Sequence, residues 1–271
     1  MSQNNIEKKL KRELEDMQNL WLNGSNPSLW GWEKALENFN KSPYPIDIDY
    51  IERRCILPCM TPASTVLDIG TNGGFWLGRM KNAKRLIGID ALPAAHLGFW
   101  SRMTRDLSPE ELKKVEFHQI SDFKCSFLED NSIDYVFSYD VFCHISYSGA
   151  KAYIENLAPK LKKGANCFIM IADYDKYIYK DRALFIGDAE DSNKFINLNG
   201  LNKLAKGAGF DSVDEFVADY DGIKKQSPGR WYFYNTDRFV ELIENNDYEL
   251  INRDVAVIAD PLNPIIHFRK L

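Results

Sequence analysis

Between residues 66 and 76 the chain reads Val-Leu-Asp-Ile-Gly-Thr-Asn-Gly-Gly-Phe-Trp. Residues 66–69 form a short buried strand carrying one acid, Asp68, and Gly70, Gly73 and Gly74 leave the following turn almost without side chains. A buried strand running into such a turn lets backbone N–H groups approach a ligand at the carboxyl edge of a sheet. The acid narrows the choice of ligand. A carboxylate here repels phosphate, so the turn suits a cationic or zwitterionic nucleoside better than a pyrophosphate. A dinucleotide fingerprint requires Gly-x-Gly-x-x-Gly, whereas Asn72 occupies the middle glycine position. Spacing and acid together argue against a nicotinamide dinucleotide.

The same alternation continues downstream. Residues 85–90 read as a second strand ending in an acid, and 91–105 as a helix with Pro93 in its first turn. Residues 115–120 and 133–138 are the third and fourth strands. A helix is expected over 149–161, with Tyr153, Ile154, Leu157 and Leu161 on one face and Lys162-Lys163-Gly164 as its stop. Residues 166–172 form a nearly all-apolar fifth strand. Apolar strands alternating with amphipathic helices predict an α/β fold, a doubly wound parallel sheet covered on both faces.

The flanks divide differently. Residues 5–22 repeat Ile6, Leu10, Leu14, Met17 and Trp21 at helical spacing, Trp30 and Trp32 follow, and 46–57 reads as another helix. Residues 1–60 are therefore an N-terminal helical extension. After residue 172 two segments, 198–217 and 236–258, compete to be the next helix–strand unit. The second is preferred because a final strand, 264–269, follows it directly. The core is thus 61–172 with 236–271, and 173–235 is an insertion over the carboxyl edge, where substrate lids sit.

With 271 residues, 45% of them hydrophobic, the chain can build one sizeable core. A net charge of −5 with scattered cations argues against a nucleic-acid partner. No apolar run approaches the roughly 18 residues of a membrane span, and no export signal is evident, so a soluble cytoplasmic protein without a membrane partner is expected. The odd number of cysteines, five, reads as reduced thiols. Cys55 and Cys59 are too loosely spaced, and lack a following Cys/His pair, to hold a metal. No metal is expected.

Asp90 closes the second strand about twenty residues after Gly70, the position from which a carboxylate receives the ribose hydroxyls of a nucleotide. The competing role is a helix N-cap. At this point the chain resembles the class I S-adenosylmethionine-dependent methyltransferases, over about 64–172 and again from 236 onward. Asp68-Ile-Gly70-Thr71-Asn72-Gly73-Gly74 resembles the first motif of that family, Ile87-Gly-Ile-Asp90 the second, Ser121-Asp122-Phe123 the third, and Asn131-Ser-Ile-Asp134-Tyr-Val-Phe-Ser138 the entry to the fourth strand. The resemblance implies a Rossmann-like, seven-stranded, mostly parallel sheet with an antiparallel last strand, and S-adenosyl-L-methionine as cofactor. It places Asp68, Gly70, Thr71, Asn72, Gly73 and Phe75 against the donor, Asp90 and Ala91 at its ribose, Ser121, Asp122 and Phe123 at its adenine, and Tyr139 near its sulfonium.

The acceptor side falls on Ser138-Tyr139-Asp140-Val141-Phe142-Cys143-His144-Ile145. Methylases of base or amide nitrogens often carry Asn/Asp-Pro-Pro-Tyr/Phe here, and this chain has no proline at that point. The run is similar to one in small-molecule and sugar O-methyltransferases. His144 is the leading general base, since imidazole titrates near neutral pH; the alternative is a packing role near a helix start. Asp140 orients His144, fixes the donor's amino group or caps a turn. Of the other histidines, His96 is a candidate to flank the adenine, while His118 and His267 read as structural. Asp173 and Asp175, just past the fifth strand, are candidates for a substrate hydroxyl or a metal, although no supporting Asn-Asp or Asp-Asn ligand pair is evident. In the insertion, Tyr174 and Arg230 are the candidate substrate-binding residues.

The expected function is methyl transfer to a hydroxyl of a small-molecule acceptor. That acceptor would be a sugar or sugar nucleotide of bacterial surface polysaccharide biosynthesis, or a small phosphorylated metabolite. A protein or RNA methyltransferase is the alternative enzyme, and a non-catalytic binding protein retaining the fold is the alternative outside catalysis. A homo-oligomer is compatible with all three.

Overall fold

Seven apolar runs hydrogen-bond into one sheet, and their residue types explain why. Valine, isoleucine, tyrosine or phenylalanine recurs in every one of β1 (Thr65–Ile69), β2 (Arg85–Asp90), β3 (Val115–Gln119), β4 (Ile133–Ser138), β5 (Leu161–Met170), β6 (Tyr248–Asn252) and β7 (Ile265–Lys270). The computed structural model describes residues 3–23, 46–173, 184–185, 195–196, 232–234, 236–256 and 263–271. The strand order is β6-β7-β5-β4-β1-β2-β3. Strands β1 to β5 pair in parallel, and β7 runs antiparallel to both β5 and β6. This is the expected doubly wound sheet with a reversed last strand.

Side chains alternate across the sheet with a period of two. Tyr135, Phe137, Phe168 and Met170 enter one core with α2 (Phe75–Arg79) and α3 (Phe99–Asp106). Val136, Cys167 and Ile169 enter the other with α4 (Tyr147–Leu157) and α5 (Thr236–Glu244). Each fully buried large side chain contributes about 1.5–3 kcal/mol relative to exposure. The N-terminal helix α1 (Gln3–Asn23) joins the second core through Leu14. Among the described residues, no helix is long and apolar enough to cross a membrane.

Three local expectations change. The helix read over 91–105 is broken at Gly98, whose φ of +63° separates Ala94–Leu97 from α3. Lys162-Lys163-Gly164 lies inside β5 and is not a helix stop. The helix ends at Leu157 and gives way to the turn Ala158–Lys160, where Pro159 cannot continue an α-helical ladder. The helix read over 46–57 is a short Ile48–Ile51 helix that widens into a π turn, Glu52–Ile56.

The order of strands reverses beside β1, whose neighbours are β2 and β4. A crevice opens beyond the carboxyl ends of strands at such a switch point. Beyond β5, Ala172–Asp173 pairs in parallel with Phe233–Tyr234, so the intervening chain leaves and returns at one place on that edge. The alternative segment 198–217 and the two tryptophans at 30 and 32 lie outside the described residues.

Candidate active site

One bank of the crevice is the turn after β1. Gly70 N and Thr71 N donate to Ile89 O at 2.8 and 2.9 Å, and Asn72 N to Asp90 Oδ2 at 3.0 Å. Gly73 N donates to Asn72 Oδ1 at 2.7 Å and Gly74 N to Thr71 O at 2.8 Å. Every N–H from 70 to 74 is therefore spent within the protein, which corrects the expectation that they reach a ligand. Such a turn offers an anion little, as the two acids beside it also imply. Gly70 has a different task. With φ at +68°, an added Cβ would lie 2.2 Å from Val141 Cγ2, so glycine here lets the turn and the segment after β4 touch.

Asp68 is 2% exposed and accepts from Thr71 Oγ1 at 2.7 Å. Burial raises its carboxyl to about 7; the Thr71 bond opposes this, and the Asp90 charge adds to it. Gly88 of β2 makes room for that bond, because a Cβ there would meet the Thr71 side chain at 2.8 Å. Asp90 is half-buried, and desolvation raises it to about 6 against its backbone hydrogen bonds. Its Oδ1 accepts from Leu92 N at 2.9 Å and its Oδ2 from Asn72 N at 3.0 Å. The next helix is capped by Pro93, so Asp90 is not its N-cap. A carboxylate offers about four lone-pair sites. Two fix the orientation of Asp90, and the rest suit the two hydroxyls of a ribose.

The adenine-side candidates behave unequally. Ala91 is buried, and its carbonyl accepts from Gln119 Nε2 at 3.1 Å and Gln18 Nε2 at 2.8 Å. Ser121 and Asp122 are exposed, with Asp122 Oδ1 accepting from Lys124 N at 2.9 Å. Phe123 packs its ring edge-to-face on Tyr153, 4.9 Å between centroids, and its carbonyl accepts from Asn156 Nδ2 at 3.1 Å. Its side chain belongs to the core. Phe75 is half-buried, with the Arg79 and Arg102 guanidinium groups 4.8 and 5.9 Å from its ring centre.

The other bank is the segment after β4. Ser138 Oγ donates to Ile69 O at 3.1 Å, and buried Tyr139 packs on Trp76 at 5.4 Å. Asp140 turns the chain with φ at +60°, and the 3₁₀ turn Phe142–His144 follows. His144 Nε2 lies 4.0 Å from Asp140 Oδ1, an ion-pair distance and not a hydrogen bond. Cys143 Sγ donates to the same oxygen at 3.4 Å. One ligand atom each from Asp140, Cys143 and His144 lie within 4.8 Å of one another. That O, S, N set is of the kind zinc-class ions take. This Asp-x-x-Cys-His spacing is separate from the pairs Cys55 and Cys59, and Asp173 and Asp175, to which the sequence pattern draws a metal reading.

Asp173, expected to face a substrate, is 6% exposed and accepts from Thr236 N at 3.2 Å and from the Thr236 hydroxyl, anchoring the start of α5. His267 stacks on Phe168 at 4.0 Å with Nε2 2.9 Å from Asn166 Oδ1, and burial lowers it to about 4. His118 stacks on Phe127 at 4.4 Å. Tyr174, Arg230 and Asp175 lie outside the described residues.

Three residues that sequence reasoning missed come from α1. Glu13 is 8% exposed and accepts from Ser146 N and Ser146 Oγ, both at 2.6 Å. Gln18 reaches Ala91, and Trp21 sets its ring edge-on to His144 at 5.9 Å. The available signal was a carboxylate lodged on the apolar face formed by Leu10, Leu14, Met17 and Trp21.

Fold and switch-point crevice together define the class I S-adenosylmethionine-dependent methyltransferases. Residues 34–215, more than half of the chain, match the family model described as a methyltransferase domain, and the chain belongs to that family. A search of curated proteins finds no match. Among solved structures, a protein of Listeria monocytogenes, assigned as an S-adenosylmethionine-dependent methyltransferase, is similar at 14% identity. It covers 82% of this chain and 97% of its own, with a TM-score of 0.53. A Mesorhizobium loti S-adenosylmethionine-dependent methyltransferase covers 79% and 94% at 13% identity and a TM-score of 0.51. The [4+2]-cyclase SpnF covers 82% and 78% at 13% identity and a TM-score of 0.51. Likeness at this level describes the fold; the chemistry has to be argued from the site.

Proposed function

We propose that this protein transfers a methyl group from S-adenosylmethionine to a hydroxyl of a small molecule, with His144 as general base. The carrying observation is the pair Asp68 and Asp90 beside a turn whose N–H groups are all internally bonded. When bound, S-adenosylmethionine supplies a methyl group on a sulfonium, which needs no acid to activate the leaving group. Asp90 receives the ribose hydroxyls on its remaining lone pairs, with Ala91 as its neighbour in the wall. Thr71 holds Asp68, and the turn from Gly70 to Gly73, with Phe75 behind it, gives the donor a close, cation-tolerant floor. Ser121, Asp122 and the backbone of Phe123 border the adenine end, and Tyr139 walls the sulfonium end.

On the opposite bank His144 Nε2 takes the proton of the acceptor hydroxyl, and the Asp140 carboxylate stabilises the imidazolium so formed. Tyr174 and Arg230, in the 173–235 insertion, contact the acceptor. A sugar, a sugar nucleotide of surface polysaccharide assembly, or a small phosphorylated metabolite fits this reading. The missing Asn/Asp-Pro-Pro signature and the net charge of −5 support it over a base or RNA substrate. The five cysteines form no disulfide, and a reducing compartment such as the cytoplasm suits them.

The test is a panel of hydroxylated acceptors with methyl-labelled donor, following S-adenosylhomocysteine release and product mass. Substituting His144→Gln should lower turnover about 100-fold or more with donor affinity retained. An unchanged rate would remove His144 from the mechanism. The grouping of Asp140, Cys143 and His144 favours one second reading, in which a divalent ion held there orients the acceptor oxygen. Turnover abolished by chelation and restored by zinc would select it.

A further inference from the structure

Helix α1 touches both banks of the crevice. Gln18 Nε2 donates to Ala91 O at 2.8 Å, next to Asp90, and approaches Ile120 O at 3.5 Å, so one side chain ties the loops that follow β2 and β3. About one turn further on, Trp21 lies edge-on to His144. Before Gln18, Glu13 grips Ser146 through both carboxylate oxygens. From Glu13 to Trp21 the helix advances about 12 Å, both of these residues meeting the segment after β4 and Gln18, between them, meeting the loop after β2.

Glu13 has no place in the mechanism so far, yet it is a buried acid. Such a group persists where its hydrogen bonds offset the loss of water. Its partner Ser146 is the N-cap of the 11-residue helix α4, and Ser146 Oγ also accepts from Gly149 N at 3.1 Å. A carboxylate at that end is further favoured by the helix dipole. Because Ser146 stands two residues after His144, the grip fixes the backbone that carries the imidazole. Around these contacts α1 is lightly held: Leu10, Met17, Gln18 and Trp21 are only half-buried. Among Leu10, Leu14, Met17 and Trp21, Leu14 alone is buried, and a segment so partly covered opens below the free energy of global unfolding.

We infer that α1 is the roof of the donor cleft and that Glu13 is a positioning residue, which docks the roof and sets His144 toward the acceptor. The inference rests on the methyl-transfer reading for what the cleft binds. The donor enters and the product leaves when α1 lifts. Gln18 closes the nucleoside end, and Trp21 closes the acceptor end.

Hydrogen exchange of α1 and of residues 140–149, in wild type, Glu13→Ala and Glu13→Gln, tests this with and without S-adenosylhomocysteine. The ligand should slow α1 exchange about tenfold in the wild type, and Glu13→Ala should speed it about tenfold in the free protein. Glu13→Ala should also speed release of S-adenosylhomocysteine about tenfold, with exchange in β1 and β4 unchanged. Glu13→Gln, which keeps an acceptor for Ser146 N–H, should restore part of both. The ring-current shift of the His144 Cε1–H proton should vanish in Glu13→Ala and equally in Trp21→Leu, which a merely stabilising Glu13 would not produce. Equal α1 exchange in wild type and Glu13→Ala would overturn the proposal even if the ligand binds. No calorimetric heat with the ligand would overturn the methyl-transfer reading, while the ligand-free comparison still decides the Glu13 grip.

Discussion

The turn after β1 is tied down by near neighbours in the chain, Asp90 holding Asn72 from 18 positions away. The segment after β4 is held from much further off. Glu13 grips Ser146 across 133 positions, and Tyr232 N donates to Cys143 O at 2.6 Å from the far side of the insertion. The turn from 70 to 74 is thus complete once two adjacent strands pair. The acceptor bank depends on the N-terminal helix and on chain that returns after β5. A site built this way can keep its donor while its acceptor side is changed by elements outside the sheet.

Gly70 is where the banks meet, and breaking it should have the largest effect. Gly70→Ala forces a Cβ toward Val141 at a left-handed backbone and should cost about 3 kcal/mol or more in urea unfolding. Val141→Ala in the same chain should recover part of that loss; no recovery would mean the banks are not packed on each other. Next, Asp90→Asn should weaken S-adenosylhomocysteine binding about 10- to 100-fold by calorimetry. His144→Gln should leave that binding within about threefold, since it removes nothing from the donor bank. Smaller again, Ser146→Ala should cost about 1–2 kcal/mol of stability through the lost cap of α4. It should loosen the acceptor bank in hydrogen exchange and leave the 70–74 turn as it was. Loosening of both would erase the distinction between them.

The same contrast explains what could be read from the chain. Strands, glycines and both acids of the donor bank lie within residues 66–90, so their pattern is local and visible. Even there the direction of the N–H groups was misread, because Ile89 O and the Asp90 carboxylate, supplied by the neighbouring strand, consume them. At Phe123, which the motif assigns to the adenine, the ring turns to Tyr153 because α4 offers an apolar face. Lys162-Lys163-Gly164 imitates a helix end, although Pro159 has already ended the helix. Glu13 was legible only as an odd acid on an apolar helix face. Its partner lies too far along the chain for any periodicity to connect them.

Buried Asp68 and half-buried Asp90 await a cationic donor, and their protonation gives a handle on that role. In the free protein Asp68 is raised to about 7 and Asp90 to about 6, above the ordinary value of 3.8. The folded state therefore binds protons that the unfolded chain releases. The stability contributed by these two groups should be full below about pH 4 and should be lost as pH rises from there through about 6–7. Donor binding should run the opposite way, because cation and ribose hydroxyls favour the ionised carboxylates. Calorimetric titration of S-adenosylmethionine from pH 5 to 8, in wild type and Asp68→Asn, is the most direct measurement. Affinity should rise with pH through 6–7 with proton release, and the profile should be flatter in Asp68→Asn. Affinity independent of pH, or no binding at all, would contradict that role.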